Sequence, residues 1–75
     1  MGRPEAHVQN TIRALRFHHD EMTQGDLARR IGVSRQTLNA IEGCKYSPSL
    51  EVAFRIAQVF ELPLEEVFQY SAEDS

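Results

Sequence analysis

The sequence predicts an all-α fold, a single small domain of five short helices. Two observations lead there. Apolar residues recur at helical spacing in five successive segments, and residues that start or stop helices, among them Thr23, Gly32, Ser34, Gly43, Pro48 and Pro63, stand between those segments. The length of 75 residues fits one domain with a modest core. A chain so short is stable by only a few kcal/mol unless it oligomerises, so a second subunit is expected on stability grounds alone.

The elements follow in order. Residues 1–7, with Gly2 and Pro4 and no apolar period, read as a loose or weakly extended arm. From Val8, the positions Val8, Ile12 and Leu15 fall on one helical face, which predicts a first helix ending near His19 or Asp20 with Arg13 and Arg16 in solvent. Thr23 with Asp26 three residues later forms a capping-box pattern, and Met22 and Leu27 hold the positions of a hydrophobic staple. The second helix starts there, buries Leu27, Ala28 and Ile31, and stops at Gly32, the residue best able to take the left-handed conformation. Gly25 weakens its first turn.

Ser34 is a strong N-cap, and Val33 with Leu38 repeats the staple spacing, so a third helix begins after a turn of only Gly32 and Val33. Its inward residues are Leu38 and Ile41; Arg35, Gln36, Thr37 and Asn39 face outward, and Gly43 closes it. Pro48 and Ser49 start a fourth helix, whose face is Leu50, Ala53, Ile56, Ala57 and Phe60. It is the most hydrophobic of the five and is expected at the centre. Glu61, Leu62 and Pro63 interrupt it, and Leu64, Val67 and Phe68 make a short fifth helix. The tail from Gln69 to Ser75 is polar and acidic apart from Tyr70, and reads as frayed or as a brief edge strand.

Composition narrows the function. No apolar run is long enough to span a bilayer and no signal-like segment is present, which points to the cytoplasm. The single cysteine, Cys44, cannot form an internal disulfide, and His7, His18 and His19 lack the spacing of a metal site, so no metal, cofactor or small-molecule ligand is expected. No grouping of acid, base and nucleophile is visible, so an enzyme is not expected. The net charge of −3 argues at first against a polyanionic partner. Its distribution argues otherwise: residues 1–46 hold seven Lys and Arg against five acids, whereas residues 47–75 hold Arg55 against six acids. The first part is able to face nucleic acid while the second faces away.

The middle of the chain carries the specific signal. Two helices joined by so short a turn cross steeply, which requires a small residue at closest approach and a turn residue that tolerates positive φ; Ala28 and Gly32 supply both. Leu38 and Ile41 then anchor the second of the two helices and leave its N-terminal turn and Asn39 face exposed, a presentation that fits the major groove. Arg35 is able to donate two hydrogen bonds to guanine, Gln36 and Asn39 to pair with adenine, and Thr37 to offer a methyl to thymine or a hydroxyl to phosphate. Gln24 with the free amides that open the second helix forms an anion site, and Ser34, Lys45 and Tyr46 flank the reading helix as further backbone contacts.

The segment Met22 to Phe68, above all TQGDLARRIGVSRQTLNAIE and KYSPSLEVAFRIAQVF, closely resembles the Cro/C1-type helix-turn-helix family, the xenobiotic-response-element regulators, over nearly two thirds of the chain. The resemblance implies a five-helix lambda-repressor-like bundle, double-stranded DNA as ligand, and a homodimer acting on a near-palindromic operator as a transcriptional regulator, a repressor above all. It matches Gln24 to a phosphate contact, Arg35, Gln36, Thr37 and Asn39 to base reading, and Lys45 and Tyr46 to backbone contacts. Small relatives pair a strand after the last helix with an N-terminal strand, and residues 69–72 are able to do the same. Three departures stand out: the turn HHDEM lacks the family's glycine, the order Glu42, Gly43, Cys44 moves a glycine forward, and Gly25 replaces a commoner helix former. The alternative reading is a protein-interaction module of the same fold, such as an antitoxin or adaptor, using the acidic, apolar C-terminal half.

Overall fold

A computed structural model describes residues 8–70. The arm expected over residues 1–7 and the tail from residue 71 onward lie outside the described residues. Strand β1 (Val8–Asn10) leads into α1 (Ile12–His18), followed by α2 (Gln24–Ile31), α3 (Arg35–Glu42), α4 (Leu50–Phe60), α5 (Leu64–Val67) and strand β2 (Phe68–Tyr70). The five expected helices are present, and the two strands form an antiparallel pair with Val8 opposite Tyr70, Gln9 opposite Gln69 and Asn10 opposite Phe68.

The start of the chain differs from the periodicity reading. Val8 shares the helical phase of Ile12 and Leu15, yet residues 8–10 are a strand and the first helix begins only at Ile12. Hydrogen bonding decides the matter. β2 supplies ladder partners for β1, the Thr11 amide donates to the Val67 carbonyl at 2.9 Å, and Asn10 Oδ1 accepts from the Ile12 amide at 3.1 Å. The Asn10 side-chain nitrogen Nδ2 donates in turn to the Ile41 carbonyl at 2.9 Å, tying the start of α1 to the end of α3. At the other end Phe68 belongs to β2 and not to α5, so the strand expected over residues 69–72 begins one residue earlier.

Caps account for the other boundaries. Thr23, Ser34 and Ser49 each accept a hydrogen bond from the amide three residues on, at 3.0, 3.0 and 3.2 Å. Asp26, the partner in the capping-box pattern, directs its carboxylate to Arg29. Gly32 ends α2 in the left-handed conformation with φ of 79°. At the end of α3 Gly43 has an ordinary φ of −82°, and the left-handed residue is Cys44 at 60°. The turn without glycine between α1 and α2 likewise holds Asp20 and Glu21 at positive φ.

One core joins all five helices: Ile12, Met22, Leu27, Ala28, Ile31, Leu38, Ile41, Ile56, Ala57, Phe60 and Val67 are buried together. Two side chains depart from the expected core and surface. Leu50, placed on the inward face of α4, is 67% exposed at the edge of an apolar groove, while Ala53, Ile56, Ala57 and Phe60 pack inward. Arg16, expected in solvent, is held in an ion pair whose side chains are 13% (Arg16) and 7% (Glu42) exposed. His18 and His19 are exposed, with the His19 ring set edge-on to Phe60. Among the described residues no helix is long and apolar enough to cross a membrane, and no group of three or more His, Cys, Asp or Glu is placed to hold a metal ion.

Candidate nucleic-acid interface

The α2–α3 unit is set by three local features. Ala28 is buried where the helices approach, and both the Gly32 and Val33 amides donate to its carbonyl, at 2.9 and 3.0 Å. Gly32 makes the turn at positive φ, where a Cβ would be strained and would come within 3.2 Å of Arg55 Nη1. That same Nη1 donates to the Ile31 carbonyl at 3.1 Å, satisfying one of the orphaned acceptors at the end of α2. Ser34 then caps α3, and Leu38 and Ile41 fix its inner face in the core.

The outer face of α3 carries Arg35, Gln36 and Asn39, all exposed. With Gln24 they line one hollow of about 200 Å³. Gln24, Gln36, Asn39 and Lys45 also line a wider groove of about 900 Å³, whose far wall includes Arg13 and Phe17 of α1. Lys45 reaches this groove because the positive φ of Cys44 turns the chain directly after Gly43. Tyr46 follows it, 52% exposed in the loop before α4. Ser34 and Thr37 are occupied at the cap: Ser34 Oγ accepts from the Thr37 amide and donates to Thr37 Oγ1 at 2.9 Å, and Thr37 is half-buried.

Beneath the face lies a polar network that periodicity does not reveal. Glu42 receives Arg16 through two parallel bonds, Nε to Oε2 at 2.7 Å and Nη2 to Oε1 at 3.0 Å, and the remaining Arg16 Nη1 donates to the Met22 carbonyl at 2.9 Å. Gln24 Nε2 donates to Glu42 Oε1 at 3.0 Å and to Asn39 Oδ1 at 3.2 Å. Arg16 and Glu42 are 26 positions apart in sequence, so no local pattern marks them as a pair. The two hydrogens of the Gln24 carboxamide are both used inside the protein, which leaves its carbonyl oxygen as the end able to meet a ligand.

A short α3 presented across α2 by a tight left-handed turn defines the class: this is a helix-turn-helix protein. The sequence matches the helix-turn-helix family over residues 12–67. It is similar to an uncharacterized HTH-type transcriptional regulator of Methanocaldococcus jannaschii, 45% identical over 67 residues that cover 89% of this chain and 100% of that one. It is also similar to one from Archaeoglobus fulgidus, 43% identical over 67 residues covering 89% and 94%, and to the regulator YgzD of Bacillus subtilis, 36% identical over 67 residues covering 89% and 100%. Solved structures share the fold. A Bacteroides fragilis protein superposes with a TM-score of 0.70 at 21% identity over 83% of this chain and 98% of that one; a transcriptional regulator from Listeria innocua gives 0.67 at 18% over 89% and 65%. The chain belongs to the helix-turn-helix family, as its resemblance to the Cro/C1 type implied. Membership supports DNA-binding regulation and sets the chain outside the enzymes.

Proposed function

We propose that this chain is a sequence-specific regulator of transcription that binds double-stranded DNA as a homodimer on a near-palindromic operator and represses from there. The observation that carries the reading is the division of α3: Leu38 and Ile41 are sunk in the core, while Arg35, Gln36 and Asn39 project together beside Gln24. In this reading α3 enters the major groove with Arg35 on guanine, Gln36 and Asn39 on base edges, and Thr37, whose hydroxyl is turned to Ser34, offering its methyl to thymine. Gln24 with the amides of its turn, Ser34, Lys45 and Tyr46 lie along the phosphates. Repression needs only occupancy of the operator.

The dimer reading draws on a separate surface, where Leu50, Phe54 and Tyr70 are exposed and an apolar groove of about 410 Å³ runs between the start of α4 and the strand pair. A patch of this kind on a small domain marks an association surface. Two copies would set their reading helices ~34–36 Å apart, one turn of DNA. The same patch is what a protein-interaction module would use, so the two readings are separated by the α3 face: alanine at Arg35, Gln36 and Asn39 abolishes function in a DNA reader and leaves partner capture intact in an adaptor.

Selection of bound sequences from a random duplex pool tests the proposal. The expected outcome is enrichment of matched half-sites ~10 base pairs apart, with affinity for random duplex falling steeply as salt rises. A pool that stays unenriched, together with a flat salt response, overturns it.

A further inference from the structure

We infer that Gln24 is a positioning residue for base reading, fixing which end of the Asn39 carboxamide donates and which accepts. The inference rests on the DNA-reading proposal above and goes beyond it by assigning the discrimination at one base pair to a side chain on a different helix.

The order of donors and acceptors along the network is forced. Arg16 has only donors, and it grips both oxygens of Glu42. Glu42 has only acceptors, so the end of Gln24 that approaches it at 3.0 Å is the amide nitrogen. The second hydrogen of that nitrogen meets Asn39 at 3.2 Å, and the atom that receives it is therefore Oδ1. Asn39 is left with its amide nitrogen and the free side of Oδ1 directed at the shared hollow in one order only. An unrestrained carboxamide at this exposed position would sample both orders, since its two ends differ little in size.

Order matters for what the residue reads. Adenine presents an acceptor at N7 and a donor at N6 side by side, and a carboxamide matches that pair in one orientation and opposes it in the other. Freed to turn over, Asn39 would find acceptable partners on other bases, and the preference would flatten at its own base pair alone. The anchor is the Arg16–Glu42 pair, which lines the same groove but is largely buried and closed by two bonds within the protein, so the setting of Asn39 precedes binding.

The test compares single-base-pair substitution profiles on the selected operator for the full chain and three variants. Gln24→Met keeps the length of the side chain and removes both donors; Gln24→Lys restores donors able to meet Glu42 and Asn39; Asn39→Ala removes the reader. Gln24→Met is expected to lose about tenfold in discrimination at the one base pair that Asn39→Ala also flattens, with the rest of the profile unchanged. Gln24→Lys is expected to restore the preference there while raising affinity for all sequences. The inference is overturned if Gln24→Met keeps the wild-type profile, or weakens all base pairs alike while Asn39→Ala flattens one. If Asn39→Ala changes no position, the base-reading assignment itself fails, and the two failures are told apart by that variant. Thermal melting of Gln24→Met within a few degrees of the wild type excludes misfolding as the source of a flattened profile.

Discussion

The Arg16–Glu42 pair gives the most exacting test of the structure. Its two parallel bonds, 2.7 and 3.0 Å long, join the last turn of α1 to the last residue of α3 where the side chains are largely shielded from water. Breaking a fully buried pair by removing one partner costs about 3–5 kcal/mol, because the surviving charge stays desolvated without its counter-ion. Here Arg16 keeps the Met22 carbonyl and some access to solvent, so Glu42→Leu is expected to cost about 2–3 kcal/mol. For a chain of this length the whole stability is roughly 4–11 kcal/mol, and each kcal/mol moves the melting point by roughly 4–8 °C. The single variant should therefore melt about 10–20 °C lower.

The double variant distinguishes a buried pair from mere packing. Arg16→Met with Glu42→Leu replaces both charges by apolar groups of similar bulk, and should recover to within about 1 kcal/mol of the wild type, a coupling of about 2 kcal/mol or more. Urea titrations followed by circular dichroism on the four proteins give these values directly. If each single change costs under about 0.5 kcal/mol, or if the double loss equals the sum of the two, the pair is solvated and the network above it has no rigid base.

Other predictions follow from the backbone and the face. Cys44 sits at φ 60° immediately after a glycine with φ −82°, so Cys44→Gly should stabilise the fold by about 0.5–1 kcal/mol, whereas Gly43→Ala should change stability by less than about 0.5 kcal/mol; thermal melts that reverse this order refute the assignment of the turn. Ser34→Ala should cost about 1 kcal/mol by unpairing the Thr37 amide, measured in the same melts. In binding assays, Arg35→Ala should relax preference at one base pair by about 1–3 kcal/mol, while Lys45→Ala should weaken cognate and random duplex alike and lower the salt slope; equal losses on both DNAs for both variants would show that the roles are wrongly divided.

What was legible in the sequence shares one property: its determinants lie within a few residues of each other. Thr23, Gly32, Ser34 and Ser49 set helix ends through bonds and dihedrals spanning three residues or fewer, so α2, α3 and the start of α4 lie where the pattern placed them. Periodicity also gave the outward face of α3, because the phase of Leu38 and Ile41 fixes that of Arg35, Gln36 and Asn39. β1 is hidden from periodicity because three residues that continue a helical phase are indistinguishable from a helix until Phe68–Tyr70, some sixty positions later, offers a ladder. Leu50 departs from its expected burial for a related reason: phase says which way a side chain points, but not whether another element covers it.

Polar side chains are the harder case, since the default for a charge is solvent and each departure needs a partner that sequence spacing does not identify. Arg16 reads as solvated until Glu42 is brought beside it, and Glu42 then ties Gln24, expected from the sequence only as a phosphate contact, to Asn39 as well. The candidate site was thus visible as a set of residues but not as a linked one. A face assembled only by helical phase would tolerate substitution beneath it, whereas one oriented through a buried ion pair transmits a change at Arg16, on a helix that carries none of the base-reading residues, to the carboxamide of Asn39.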